Sequence, residues 1–302
     1  MLDGLEAFSL ASRTALVTGG GSGIGAAFAR GLALAGANIV VVGRREEPLV
    51  NAAMAVNEAA ARECCFALAA DVTEYNRVDS IVAEAAALAG TPPTILFNNA
   101  GANVRRPAAE LTAAHWERSL GLMLTSPFFL ARACAPHMAA ARYGRIVNTA
   151  SLLTALTFQD ALPYGVAKSG VAGLTRGLAE AYSPAHGYEG ITCNAIAPGY
   201  VRTEMTAAVF DDMDRATRLA AGTIAGRNSE ADDLVGAAVF LSSPASAYLT
   251  GQARQRRRVT PRAGIAVAVL SRVCAAQVIY VDGGYTALGE ARMASAAQRR
   301  AS

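Results

Sequence analysis

Cysteines are few and poorly spaced for metal binding. Cys64, Cys65, Cys134, Cys193 and Cys274 make an odd number, and only three histidines accompany them. No metal site is expected, and the pattern fits a reducing compartment. Nowhere does the chain approach the ~18 consecutive apolar residues of a membrane-spanning helix. Met1 to Arg13 lacks both the basic start and the apolar centre of a signal peptide. The expectation is a cytoplasmic protein with no membrane partner. Charge is also scarce, at 17% of residues against 53% hydrophobic. That balance excludes disorder over most of the length and supplies enough apolar material for a sheet buried on both faces.

The net charge of +3 hints at an acidic partner, but its location removes the hint. Arg254, Arg256, Arg257, Arg258, Arg262 and Arg272 fall between Ala253 and Gln277, a stretch without Asp, Glu or Lys. With those six set aside the rest of the chain is slightly acidic, so nucleic-acid binding is not expected.

From Thr14 onward, short aliphatic runs alternate with longer Ala-rich segments, the pattern of a parallel sheet with crossover helices. Strands are expected at Thr14–Thr18, Asn38–Val42, Cys65–Ala69, Ile95–Asn98, Arg145–Thr149, Thr192–Ala197 and Val278–Val281. Helices are expected at Ile24–Ala35, Glu47–Ala61, Val78–Ala89, His115–Ala140, Tyr164–Tyr182 and Ala231–Leu241. No internal repeat appears. The 302 residues read as one α/β domain of the Rossmann type, doubly wound, with a disordered tail over about 290–302.

The first strand runs straight into Thr18-Gly-Gly-Gly-Ser-Gly-Ile-Gly25, and an Ala-rich helix follows at once. Small residues there let the backbone turn sharply and approach a pyrophosphate, with the helix N-terminus aimed at its charge. Gly19, Gly21, Ser22, Gly23, Ile24 and Gly25 are therefore candidate cofactor contacts. After the second strand, where an NAD-preferring protein usually carries an acid for the ribose 2′-hydroxyl, stand Arg44 and Arg45. A guanidinium presents a planar fork of donors to a 2′-phosphate, which points to NADP, with NAD as the second option and Arg44 as the leading contact. Ser22 adds no positive charge to the loop, which limits that preference. The pair also reads as solvated surface charge ahead of Glu46 and Glu47.

Asp71-Val72 follows the third strand and Asn98-Asn99-Ala100-Gly101 the fourth, both at strand C-termini, where open α/β sheets bind ligands. Asp71 can accept from an adenine amino group and Asn98 can hold backbone beside the cofactor, with Val72, Ala100 and Gly101 alongside. Both polar residues equally suit turns or caps. Ser151 ends the fifth strand, and Tyr164-Gly-Val-Ala-Lys168 puts Tyr and Lys one turn apart on a helix face. A tyrosine titrates near 10, so an ammonium beside it is expected to bring the phenol toward neutrality. Ser151 can hydrogen-bond a substrate oxygen, while the Tyr/Lys pair alone also reads as an ordinary helix start.

Taken together, the glycine loop, Asn98-Asn99-Ala100-Gly101, Ser151, Tyr164/Lys168 and Pro198-Gly199 closely resemble the short-chain dehydrogenase/reductase family. The likeness spans Phe8 to Gln252 and resumes at Val278 to Leu288. It implies an NAD(P)-dependent oxidoreductase moving a hydride to or from a secondary alcohol or ketone, with Ser151, Tyr164 and Lys168 catalytic. It also implies that Lys168 binds the nicotinamide ribose, that Ile196, Pro198, Gly199 and Thr203 line the nicotinamide end, and that the sheet order is 3-2-1-4-5-6-7. A cytoplasmic homotetramer or homodimer is the family's usual form.

Two departures stand out. Met123, in "HWERSLGLMLTSPFF", occupies the position where the family usually has an Asn that anchors a proton-relaying water. A thioether cannot donate a hydrogen bond, so slower proton exchange or a different water path is expected. The second is the Arg-rich insertion 253–277, whose removal restores an uninterrupted "TGQVIYVDGG". It reads as translated intron or a gene-model error, or else as a basic surface loop or an anionic docking arm.

Within the family, "FSL" at Phe8–Leu10, "NNAGANVRRPA", "SPFF" and "CNAIAPGYVRTEMT" resemble gluconate 5-dehydrogenases and 2-dehydro-3-deoxygluconate dehydrogenases, implying a sugar acid or polyol substrate. Arg105 and Arg106, after the fourth strand, can clamp a carboxylate or serve as solvated loop charges. The segment Thr203 to Gly226 is expected to form a lid. A 3-oxoacyl-thioester reductase is the main alternative, and an NADP-binding protein with little catalysis is the alternative of another class.

Overall fold

The computed structural model describes residues 4–251 and 278–287. The insertion 253–277 and the tail from 290 lie outside the described residues.

Seven strands form a parallel sheet: β1 (Thr14–Thr18), β2 (Asn38–Gly43), β3 (Cys65–Ala69), β4 (Ile95–Asn98), β5 (Gly144–Thr149), β6 (Ile191–Pro198) and β7 (Ile279–Val281). Their order is β3-β2-β1-β4-β5-β6-β7, as expected. Alternation along each strand divides the core in two. Ala15, Val17, Ile39, Val41, Ile95 and Phe97 face a layer built on α1 (Gly23–Leu34), α2 (Glu46–Ala60) and α9 (Val235–Ser242). Leu16, Val40, Val42, Leu96 and Ile146 face the other layer, formed by α3 (Val78–Ala89), α5 (Ser126–Ala140) and α6 (Leu162–Ala181). Both faces are therefore dry, which is why these strands read as unbroken aliphatic runs.

The expected long helix over His115–Ala140 is divided. α4 (Ala113–Leu120) leads into a π-helical turn at Gly121–Thr125 before α5 begins. α4 starts earlier than expected because Thr112 caps it, its hydroxyl accepting from His115 N at 3.3 Å. The segment over Ala231–Leu241 is likewise a 3-10 turn at Ala231–Leu234 running into α9. β7 resumes after the insertion as an edge strand, with Ile279, Tyr280 and Val281 in register with Ile196, Ala197 and Pro198. Two short helices, α7 (Ala207–Phe210) and α8 (Met213–Ala221), follow β6.

The strand order reverses between β1 and β4, whose connections leave to opposite sides and open a crevice at the strand C-termini. Close packing sets the crevice wall. Phe28 of α1 meets Phe97 of β4 with centroids 5.0 Å apart, and Gly31 lets α1 lie against Val235 of α9, where an added Cβ would stand 2.3 Å from Val235 Cγ1. Gly31→Ala should lower stability by about 1–3 kcal/mol through overpacking. Gly236→Ala, in α9 with open space around it, should raise it by up to about 1 kcal/mol. Urea denaturation of the two variants reads both signs.

Candidate active site

A cleft of about 660 Å³ runs along the strand C-termini. Gly19, Gly21, Ser22, Gly23, Ile24, Gly25, Arg44, Arg45, Asp71, Val72, Ala100, Gly101, Ser151, Tyr164, Lys168, Pro198, Gly199 and Thr203 all line it. The floor is the glycine turn. Gly19 and Gly23 have φ of +65° and +54°, which side chains other than glycine's rarely adopt. A Cβ on Gly25 would stand 2.1 Å from Gly19 O, so the turn closes only with glycine there. Ser22 caps α1 without a side-chain hydrogen bond, leaving first-turn amides available to an anion. The cradle thus fits a dinucleotide pyrophosphate.

Three sequence expectations are corrected. Asn98 does not line the cleft: it is buried in the sheet, its Nδ2 donating to Asn148 Oδ1 at 2.8 Å, because the side chain at the end of β4 turns toward β5. Its neighbour Asn99 is the wall residue. Asn99 Nδ2 donates to Thr18 O at 3.1 Å, and its Oδ1 accepts from Thr149 Oγ1 at 3.3 Å. Thr18 Oγ1 in turn accepts from Asn99 N and Ala100 N, both at 3.0 Å. Ile196 is wholly buried in β6 rather than at the nicotinamide end. The Arg105–Arg106 pair is also not a joint clamp. Neither lines the cleft; Arg106 Nη1 lies 3.6 Å from Glu110 Oε2, whereas the charge of Arg105 reaches the phenols of Tyr164 and Tyr200.

Behind the cleft a polar ladder fixes α6. Asn148 Nδ2 donates to Thr175 Oγ1 at 3.0 Å, and Thr175 Oγ1 donates to Val171 O at 2.8 Å. Nearer the site, Thr154 Oγ1 donates to Lys168 O at 3.2 Å and Ser169 Oγ to Leu153 O at 3.1 Å. These bonds bind the turn after β5 to the start of α6 and so hold Ser151 beside Tyr164. Gly199 N donates to Val281 O at 3.0 Å, and a Cβ on Gly199 would lie 2.9 Å from Asp282 Cα. The last strand thus backs the Pro198-Gly199 wall.

Asp71 Oδ1 accepts from Thr73 N and Oγ1 at 2.9 and 2.7 Å. Burial alone would raise this carboxyl, but the Thr73 bonds and the charges of Arg44 and Arg118 hold it below its ordinary value. The residue is both a turn former and a cleft-lining anion. Met123 sits in the π-helical turn, 1% exposed, with its sulfur 3.5 Å from where a Cβ on Gly101 would begin. An apolar plug occupies that turn.

The expectation for Tyr164 also changes. Burial pushes its phenol above the ordinary value of 10, and the hydrogen bond with Ser151 and the charge of Arg105 only partly offset it. Burial acts on Lys168 as well, bringing its ammonium down to about 8. Lys168 is 4% exposed, its Nζ donates to Thr149 O at 2.5 Å and it stands 5.7 Å from the Tyr164 ring centroid. At pH 7 the site therefore holds a neutral phenol beside a charged amine. Lys168 is also the only lysine in the chain. Protein labelled with ε-13C-lysine should give one side-chain resonance, with a midpoint near 8; a midpoint above 10 would contradict the burial account.

Sequence reasoning did not single out Asn99, Asn103, Thr149, Glu204 or Thr206, which also line the cleft. Strand alternation could have separated Asn99 from Asn98, whereas the cleft-facing turn after β6 left no periodic signal.

A family model described as short chain dehydrogenase matches residues 13–214. Gluconate 5-dehydrogenase of Gluconobacter oxydans is 38% identical over 82% of this chain and 94% of that protein. Cis-4-hydroxycyclohexanecarboxylate dehydrogenase of Sinomonas cyclohexanicum is 35% identical over 94% and 99%. The crystal structure of a gluconate 5-dehydrogenase from Burkholderia cenocepacia, in complex with NADP and tartrate, has a TM-score of 0.79 and 33% identity, covering 95% of this chain and all of that one. With these matches, and with a glycine cradle and Ser151, Tyr164 and Lys168 gathered in one cleft of a 3-2-1-4-5-6-7 sheet, the chain belongs to the short-chain dehydrogenase family.

Proposed function

We propose that the protein moves a hydride between NADP and a secondary alcohol or ketone of a sugar acid or polyol, with Tyr164 carrying the proton. The observation behind this reading is that Ser151, Tyr164 and Lys168 share one cleft with the glycine turn and Arg44–Arg45. The relatives' named activities, and NADP together with tartrate in one solved relative, support the substrate class. NAD is the second cofactor option. One dinucleotide-binding domain carries both halves of the site.

NADP, when bound, supplies the hydride donor or acceptor. In the reductive direction Tyr164 gives its phenolic proton to the carbonyl oxygen as that oxygen gains charge, and Ser151 hydrogen-bonds the same atom. In the oxidative direction the phenolate takes the hydroxyl proton. Lys168, held by Thr149 O, keeps a positive charge next to the phenol up to about pH 8. The raised phenol is protonated at neutral pH, the state that reduction needs. Oxidation gains as pH rises and phenolate forms.

A 3-oxoacyl-thioester substrate is the second reading, favoured by Met205 in the cleft wall. Exposed Trp116, Phe128, Leu162 and Val166 on the adjoining helices α4, α5 and α6 support a homodimer or homotetramer. Buried free thiols support a cytoplasmic setting.

Nicotinamide absorbance with a panel of sugar acids, polyols and 3-oxoacyl thioesters tests the reading. Tyr164→Phe should lower kcat by ~10²–10⁴ while NADP binding persists. Turnover of thioesters alone would move the assignment to the second reading. Arg105→Ala should raise KM for acids roughly tenfold or more and leave KM for neutral polyols unchanged. Arg106→Ala, whose partner is Glu110, should change neither.

A further inference from the structure

Glu204 lines the cleft opposite the cofactor-selecting pair, with Arg45 Nη2 3.5 Å from Glu204 Oε2. A stitched turn fixes where this carboxylate starts. Thr206 Oγ1 donates to Val201 O at 2.6 Å, and Thr203 N donates to Thr206 Oγ1 at 3.0 Å. The turn also rests on the glycine loop, since Thr203 Cγ2 is 3.1 Å from where a Cβ on Gly23 would stand. Glu204 therefore projects across the mouth of the cleft from a braced position, and its partner extends from the loop between β2 and α2. The two side chains are each 70% exposed, so neither is needed for packing.

A single guanidinium has one positive charge to share. A carboxylate and a phosphate oxygen compete for the same fork of donors, and each repels the other. We propose that Glu204 is a specificity-determining residue that sets the balance between NADP and NAD. Its carboxylate shares Arg45 with a 2′-phosphate and so weakens NADP binding. With NAD, which has no such phosphate, the Arg45–Glu204 pair stays closed and links the turn after β6 to the loop after β2. This rests on the reading that Arg44 and Arg45 receive the 2′-phosphate.

Titration calorimetry of NADP and NAD with the full chain, Arg45→Ala, Glu204→Gln and the double variant tests both layers separately. Glu204→Gln should tighten NADP roughly two- to fivefold, the worth of an exposed ion pair, without tightening NAD. In the Arg45→Ala background the same substitution should lose that selective effect. High salt should shrink the gain as well. If Arg45→Ala weakens NADP selectively while Glu204→Gln shifts both cofactors alike or neither, the role of Glu204 is overturned and the phosphate reading survives. If Arg45→Ala fails to weaken NADP relative to NAD, the phosphate reading at Arg45 fails and the proposal falls with it.

Discussion

The knot of hydrogen bonds around Asn99 is the constraint on which the cleft depends. It joins the ends of β1, β4 and β5 through Thr18 O, the Thr18 hydroxyl and the Thr149 hydroxyl. Between β1 and β4 the strand pairing ends at Val17 and Phe97, and these side-chain bonds take over where that ladder stops. Holding those ends together keeps the glycine turn on β1 at a set distance from Thr149, whose carbonyl accepts from Lys168. The cofactor half and the proton-transfer half are thus two sides of one short bonded path.

Burial decides the electrostatics more than pairing does. Tyr164 and Lys168 are pushed toward their neutral forms in opposite directions, the phenol upward and the amine downward. A sequence shows that the two lie one turn apart but not that both are desolvated together. That is why the expectation of an acidified tyrosine did not hold: it counted the neighbouring charge and omitted the loss of water.

The sheet was legible because its central strands are buried on both faces and each strand is punctuated by glycine or a polar cap at its end. Strand order needed the family likeness, and helix bounds failed where geometry departs from a 3.6-residue period, as at the π-helical turn around Met123. Residues on the cleft floor were readable from glycine spacing because a backbone requirement leaves a direct trace in composition. Asn98 was misassigned to the wall because two adjacent amides are chemically alike and only strand direction tells them apart. The turn bearing Glu204 was hidden for another reason: its importance lies in what crosses the cleft, a contact between residues 159 positions apart.

Reliance on arginine for nearly all of the chain's positive charge has a chemical consequence. Lys168 is its only lysine, and that amine is buried against Thr149. Reagents and enzymes that acylate amines find no lysine on the exterior of this sequence. Acylation of Lys168 itself would erase a charge inside the cleft, so lysine modification of this protein can reach its chemistry but has no target on its surface.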